Sequence, residues 1–132
     1  MDLDKFTTNK QLEVEGKWIP LDNTSRIRVA RIGNKNYKQK FTELSAPHIV
    51  AIRSKTISDD MAEQLLAESL GYSVLVDWEG LTINGEQVEY SPQKATEILL
   101  DPKYKDFRDM IVSIATDMDV YKNSADEDLV KN

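Results

Sequence analysis

Within residues 76–92, VDWEGLTINGEQVEYSP, an apolar helical pattern stops, a tight turn is spelled out and a new helix start follows. Asn84-Gly85 tolerates positive φ at both central positions of a two-residue turn, so Thr82-Ile83 and Gln87-Val88 are predicted to pair as a very short hairpin. Ser91 before Pro92 reads as an N-cap with proline in the first helical position. A hairpin this small is marginal by itself, so Trp78, Leu81, Val88 and Tyr90 must lean on the flanking helices.

On the N-terminal side, residues 1–11 are polar and without period, and read as a flexible arm. Leu12, Val14 and Trp18 alternate with Glu13, Glu15 and Lys17, the pattern of a half-exposed strand broken at Gly16 and ended by Pro20. Arg26 to Ile32 is a second candidate strand. Its alternation is imperfect because Arg31 falls on the apolar side with Ile27 and Val29, and Asp22, Thr24 or Ser25 offers the alternative of a helix cap. Asn34 caps a helix from Lys35 toward Leu44, with Tyr37, Phe41 and Leu44 on one stripe. Pro47 predicts a kink or break, after which His48 to Ile52 reads as helix or strand. Ser58, followed by Asp59 and Asp60, starts a helix expected to reach about Val76, with Gly71 as a place where it bends or ends early.

Beyond the hairpin, Pro92 to Leu100 presents Ala95, Ile98 and Leu99 on a short helix. Asp101-Pro102 repeats the cap-and-proline signal. From there Tyr104, Phe107, Ile111, Ile114, Met118 and Tyr121 recur at alternating spacings of three and four, the seam of a helix that packs against another. From Asn123 onward the acidic run has nothing to bury and reads as a disordered tail over 123–132. The expected fold is a mainly α, α+β single domain over 12–122, of about five helices with a small β-hairpin at Asn84-Gly85.

Charge is unevenly shared. Residues 1–57 carry 11 Lys and Arg against 6 Asp and Glu, a balance of +5, whereas the remainder carries 6 against 17, a balance of −11. Opposed halves favour docking within the chain or head-to-tail contact between copies in a homo-oligomer, set against an ordinary solvated mixed surface. The absence of cysteine excludes disulfides, thiolate metal sites and thiol nucleophiles. No apolar run approaches bilayer length and the first residues carry no signal-like apolar region, so the expectation is a cytoplasmic protein that does not enter membranes.

Catalytic chemistry finds little to work with. His48 is the only histidine and has no nucleophile to activate. Asp77 and Glu79 flank Trp78 without the spacing of a calcium loop, and turn or cap duty fits them better. No glycine-rich phosphate loop is present, and neither a cofactor nor a metal is expected. Arg26, Arg28, Arg31, Lys35, Lys38 and Lys40 are the best argument for nucleic acid, but the acidic remainder of the chain would repel it, and the preferred reading is a surface for charge-mediated contacts with an acidic partner or with the chain's own second half.

The run Asp77-Trp78-Glu79-Gly80-Leu81, then Asn84-Gly85-Glu86, Val88, Tyr90-Ser91 and a helix containing Ala95, resembles the tail assembly chaperones of long-tailed bacteriophages. Trp18-Ile19-Pro20-Leu21 and Arg28-Val29-Ala30-Arg31-Ile32-Gly33-Asn34-Lys35 look like the N-terminal half of that family, so the likeness runs over most of the chain. It implies a non-enzymatic protein of the host bacterial cytoplasm that coats the aggregation-prone tape-measure protein and helps bring tail-tube subunits to it, in some members through a longer frameshifted form. The family supplies no residue-level site. The large apolar side chains Tyr37, Phe41, Trp78, Tyr104, Phe107 and Met118 are the candidate contact surface, each with a core role as its alternative. The rivals are a structural head-to-tail or tail-completion protein and a nucleic-acid-binding phage protein.

Overall fold

A computed structural model describes residues 1–122 of the protein, so the expected acidic tail lies outside the described residues. The architecture is α+β and mainly α, as expected. After a 3-10 turn at Leu3–Phe6 come α1 (Lys10–Glu15), β1 (Lys17–Pro20), β2 (Arg26–Val29), α2 (Lys35–Ser45), α3 (Ile49–Arg53) and α4 (Asp59–Ser73). Then follow β3 (Leu75–Glu79), β4 (Thr82–Ile83), β5 (Glu86–Gln87), α5 (Pro92–Leu100) and α6 (Lys105–Thr116), with a closing 3-10 turn at Met118–Tyr121.

The expected caps form where the sequence places them. Asn34 Oδ1 accepts from the N–H groups of Asn36 and Tyr37, Ser58 from Met61, and Ser91 from Lys94 with Pro92 behind it. Asn34 does more than cap: its amide donates to the carbonyls of Arg31 and Ser73, so one buried side chain ties the start of α2 to the end of α4. The turn at Asn84-Gly85 has φ of 53° and 81°, and Thr82 pairs with Gln87 and Ile83 with Glu86.

Three expectations are corrected. Leu12 and Val14 are helical, because Asn9 caps α1 by accepting from the Leu12 N–H, and Gly16 at φ +89° turns the chain into β1 only afterwards. The helix begun at Asp59 ends at Ser73, and Leu75–Glu79 is a strand instead of the helix end. It joins an antiparallel sheet of order β1-β2-β3, in which Ile27 faces Ile19 on one side and Trp78 on the other. Finally, the aromatic seam from Tyr104 to Tyr121 is not one helix. Asp101 caps a 3-10 turn at Pro102–Tyr104, and at Asp117, with φ −85° and ψ 111°, the backbone leaves helical angles before the last turn.

The two ambiguous segments also resolve. Asp22 is no helix cap: its carboxylate accepts from the N–H groups of Thr24 and Ser25 and so builds the turn between β1 and β2. His48 to Ile52 enters α3 by way of a 3-10 turn at Ala46–His48.

Ile27, Val29, Leu70, Val74, Leu75, Trp78, Ala95, Leu99 and Ile111 form the heart of the core between the sheet and α4, α5 and α6. The hairpin leans on it as its size demands. The Trp78 indole N–H donates to the Val88 carbonyl at 2.7 Å, the Trp78 and Tyr90 rings meet edge to face at 4.9 Å, and the Tyr90 hydroxyl donates to the Leu75 carbonyl at 2.9 Å.

Candidate functional site

The six expected contact residues do not share one surface, and two of them, Tyr104 and Phe107, come together at a new place. Trp78 is only 4% exposed and its one polar atom is satisfied, which makes it a core anchor. Tyr37 and Phe41 stack at 6.2 Å along α2, and Met118 sits half-buried in the closing turn. Tyr104 and Phe107, by contrast, line an open cleft of about 230 Å³ together with Leu21, Leu81, Thr82, Ile83, Val88 and the buried Ile98.

The elements explain the cleft. The 3-10 turn at Pro102–Tyr104 ends α5 and swings Tyr104 beside Phe107 in the first turn of α6. The two-residue turn folds β4 and β5 over the same ground, and the Val88 N–H donates to the Leu81 carbonyl at 3.0 Å, fixing these two apolar lining residues opposite one another. Leu21 enters from the turn after β1, where its N–H and that of Asp22 both donate to the Ser25 carbonyl. The lining is therefore mostly aliphatic and aromatic, and its polar side-chain atoms are the hydroxyls of Thr82 and Tyr104. It can bind an apolar side chain from a partner, and its lining holds no carboxylate, imidazole or amine.

The rim is acidic. An adjoining depression shares Ile83 and Val88 with the cleft and is lined also by Glu86, Glu89 and Lys94. Asp106 stands next to Phe107 in the chain. The neighbouring cations Lys94, Lys103 and Lys105 pair with Glu97, Asp101 and Asp109, whereas among the described residues no ion pair engages Glu86, Glu89 or Asp106. The charge left over beside the apolar lining is negative.

The six expected cations do not form one face. Arg26 lies 3.9 Å over the Trp18 ring and holds Glu79 through two hydrogen bonds of 2.7 and 3.1 Å, which keep the Glu79 carboxyl below its ordinary range. Arg28 lies 5.7 Å from the same ring and donates to the Gly16 carbonyl. Arg31 pairs with Glu13 at the far end of the sheet. Lys40 sits 4.3 Å over Tyr72, and only Lys35 and Lys38 project freely from α2. Asp77 accepts from the N–H of Trp78 and Glu79 is taken up by Arg26, so the carboxylates flanking Trp78 serve the sheet. Among the described residues no cluster of His, Asp and Glu is placed to hold a metal, and no helix is long and apolar enough to cross a membrane.

Sequence reasoning reached Tyr104 and Phe107 through their helical stripe, and it marked Leu81 and Val88 as residues that needed cover. It did not bring in Leu21 or Ile83, whose approach depends on how the sheet turn and the hairpin pack. The family described as YdaY prophage protein matches residues 32–132, which contain all the lining except Leu21. No curated protein and no solved structure matches the chain.

Proposed function

The chain belongs to the YdaY prophage protein family, and from that premise we propose that it is a non-enzymatic chaperone of phage tail assembly, working in the host bacterial cytoplasm. It binds apolar segments of the tape-measure protein, keeps that long chain dissolved and helps tail-tube subunits reach it. The observation that carries the reading is the cleft itself. Leu21, Leu81, Ile83, Val88, Tyr104 and Phe107 present apolar surface that the domain leaves open, with uncompensated carboxylates beside it. The same residues fit a protein client better than a small polar substrate, since two hydroxyls, of Thr82 and Tyr104, are the polar side-chain groups of the lining. The likeness of the hairpin stretch to tail assembly chaperones points the same way.

Co-expression with the tape-measure protein of the same prophage tests the proposal. The tape-measure protein is expected in the soluble fraction with the intact chain, and back in the pellet with Leu21→Lys, which puts a charge into the lining at a residue already 36% exposed. A tape-measure protein that stays insoluble beside the intact chain overturns the reading. So does finding the chain as a component of purified particles, because a chaperone leaves before the virion is finished.

A further inference from the structure

The α2–α3 corner is the opposite of the cleft in shape and charge. Four of the five residues of α3 are apolar, none is buried, and Val50 is 77% exposed. Phe41 and Ile49 are exposed as well, and no residue from Lys38 to Gln64 belongs to the apolar core. From Leu44 to Ser58 there is no carboxylate, while Arg53 and Lys55 are exposed cations that no ion pair engages among the described residues. The knob is also firmly closed. Lys55 at φ +60° lets the N–H groups of Thr56 and Ile57 both return to the Ala51 carbonyl, at 2.8 and 3.2 Å.

We propose that this knob seats in the acidic apolar cleft of a second copy, Ile49 and Val50 entering against Tyr104 and Phe107 while Arg53 and Lys55 meet Glu86, Glu89 and Asp106. The second copy is the occupant because each face carries the surplus charge that the other lacks, and both expose aliphatic side chains that water disfavours. Different patches meet, so the contact is heterologous and the copies add head to tail, as an open row or a closed ring. The inference rests on the reading of the cleft as a binding surface and adds its regulation: a copy's knob covers the cleft until an apolar segment of the client displaces it.

Sedimentation velocity of the full chain over a range of concentrations tests this without any client. The intact protein is expected to form species larger than a monomer that dissociate as salt is raised. Val50→Glu and Leu21→Lys each weaken association by at least about tenfold. Mixed in equal amounts, the two variants form a dimer and nothing longer, because each keeps one sound face. Glu86→Lys, which leaves the lining untouched, weakens assembly in the same direction. A protein that is monomeric at every concentration, or a mixture that stays monomeric, overturns the inference. If Val50→Glu assembles like the intact chain while Leu21→Lys no longer keeps the tape-measure protein soluble, self-association through the knob is refuted and the chaperone reading stands. If assembly follows the predicted pattern but the tape-measure protein is insoluble with the intact chain, the chaperone reading fails and the knob contact is upheld.

Discussion

Tyr121 donates its hydroxyl to the carbonyl of Val29 at 3.0 Å, a buried bond that closes the end of the described chain onto the middle strand of the sheet. The same tyrosine accepts at its own carbonyl from the Asn9 N–H at 2.8 Å, so one residue joins the cap of α1, the sheet and the closing turn. Its burial pushes the phenol well above the ordinary range, because ionisation would strand a charge against a carbonyl.

Tyr121→Phe keeps the ring volume and removes only the donor. The Val29 carbonyl then loses its side-chain partner inside the protein, at a cost of about 1–2 kcal/mol. Urea unfolding followed by circular dichroism reads this as a lower midpoint at unchanged slope. A midpoint equal to that of the intact protein would mean that the bond contributes nothing net.

At Gly71 α4 packs tightly against Thr96 of α5. A Cβ there would lie 2.5 Å from Thr96 Oγ1 and 2.8 Å from the Thr96 backbone nitrogen. Alanine is the better helix former by about 1 kcal/mol, yet forcing the helices apart costs about 1–3 kcal/mol, so Gly71→Ala is expected to destabilise. Adding Thr96→Ala restores only part of the loss, since the second contact is with backbone. Thermal or urea unfolding of the single and double variants checks both statements.

The features that could be read from the sequence are local ones. Asn34, Ser58, Ser91 and the Asn84-Gly85 turn act within three residues of themselves, and each appears where its chemistry requires. What could not be read depends on distant neighbours. Gly71, the one break the sequence suggested, stays inside α4, and Leu75–Glu79 is a strand because β2 offers it a hydrogen-bonding edge. Met118 and Tyr121 keep the spacing of three after the helix has ended, since a 3-10 turn repeats at three residues as well. The cleft shows the same division: Tyr104 and Phe107 follow from their stripe, while Leu21 and Ile83 reach them only through packing.

Lys55 holds a left-handed backbone at φ +60° with an exposed side chain. That conformation costs a residue with a Cβ about 1–2 kcal/mol, and glycine avoids it at a cost of about 0.5–1 kcal/mol in chain entropy. Lys55→Gly is therefore expected to stabilise the protein by about 0.5–1 kcal/mol, while Lys55→Ala gains nothing. Comparing the two unfolding midpoints separates backbone strain from loss of the lysine charge.

Stability should fall at both ends of the pH scale for identifiable reasons. At the acid end stands Glu13, 8% exposed, whose burial pushes its carboxyl up but is outweighed by the Thr8 hydrogen bond and by Lys10 and Arg31, each 3.3 Å away. Its folded pKa thus lies below the ordinary 4.5, so its contribution is complete above that value and is lost as pH falls through the lower one. Glu13→Gln should cost about 1–3 kcal/mol at neutral pH, where it leaves Arg31 without its carboxylate, and should flatten the acid limb. At the alkaline end Tyr90 is pushed up to about 12, chiefly by burial and then by Asp77. A raised folded pKa reverses the sign: its contribution is whole below pH 10 and disappears as pH rises toward 12. Tyr90→Phe should leave the acid limb unchanged and reduce the alkaline decline, which urea midpoints measured from pH 3 to pH 11 would reveal; an alkaline limb identical in both proteins would assign that decline to other groups.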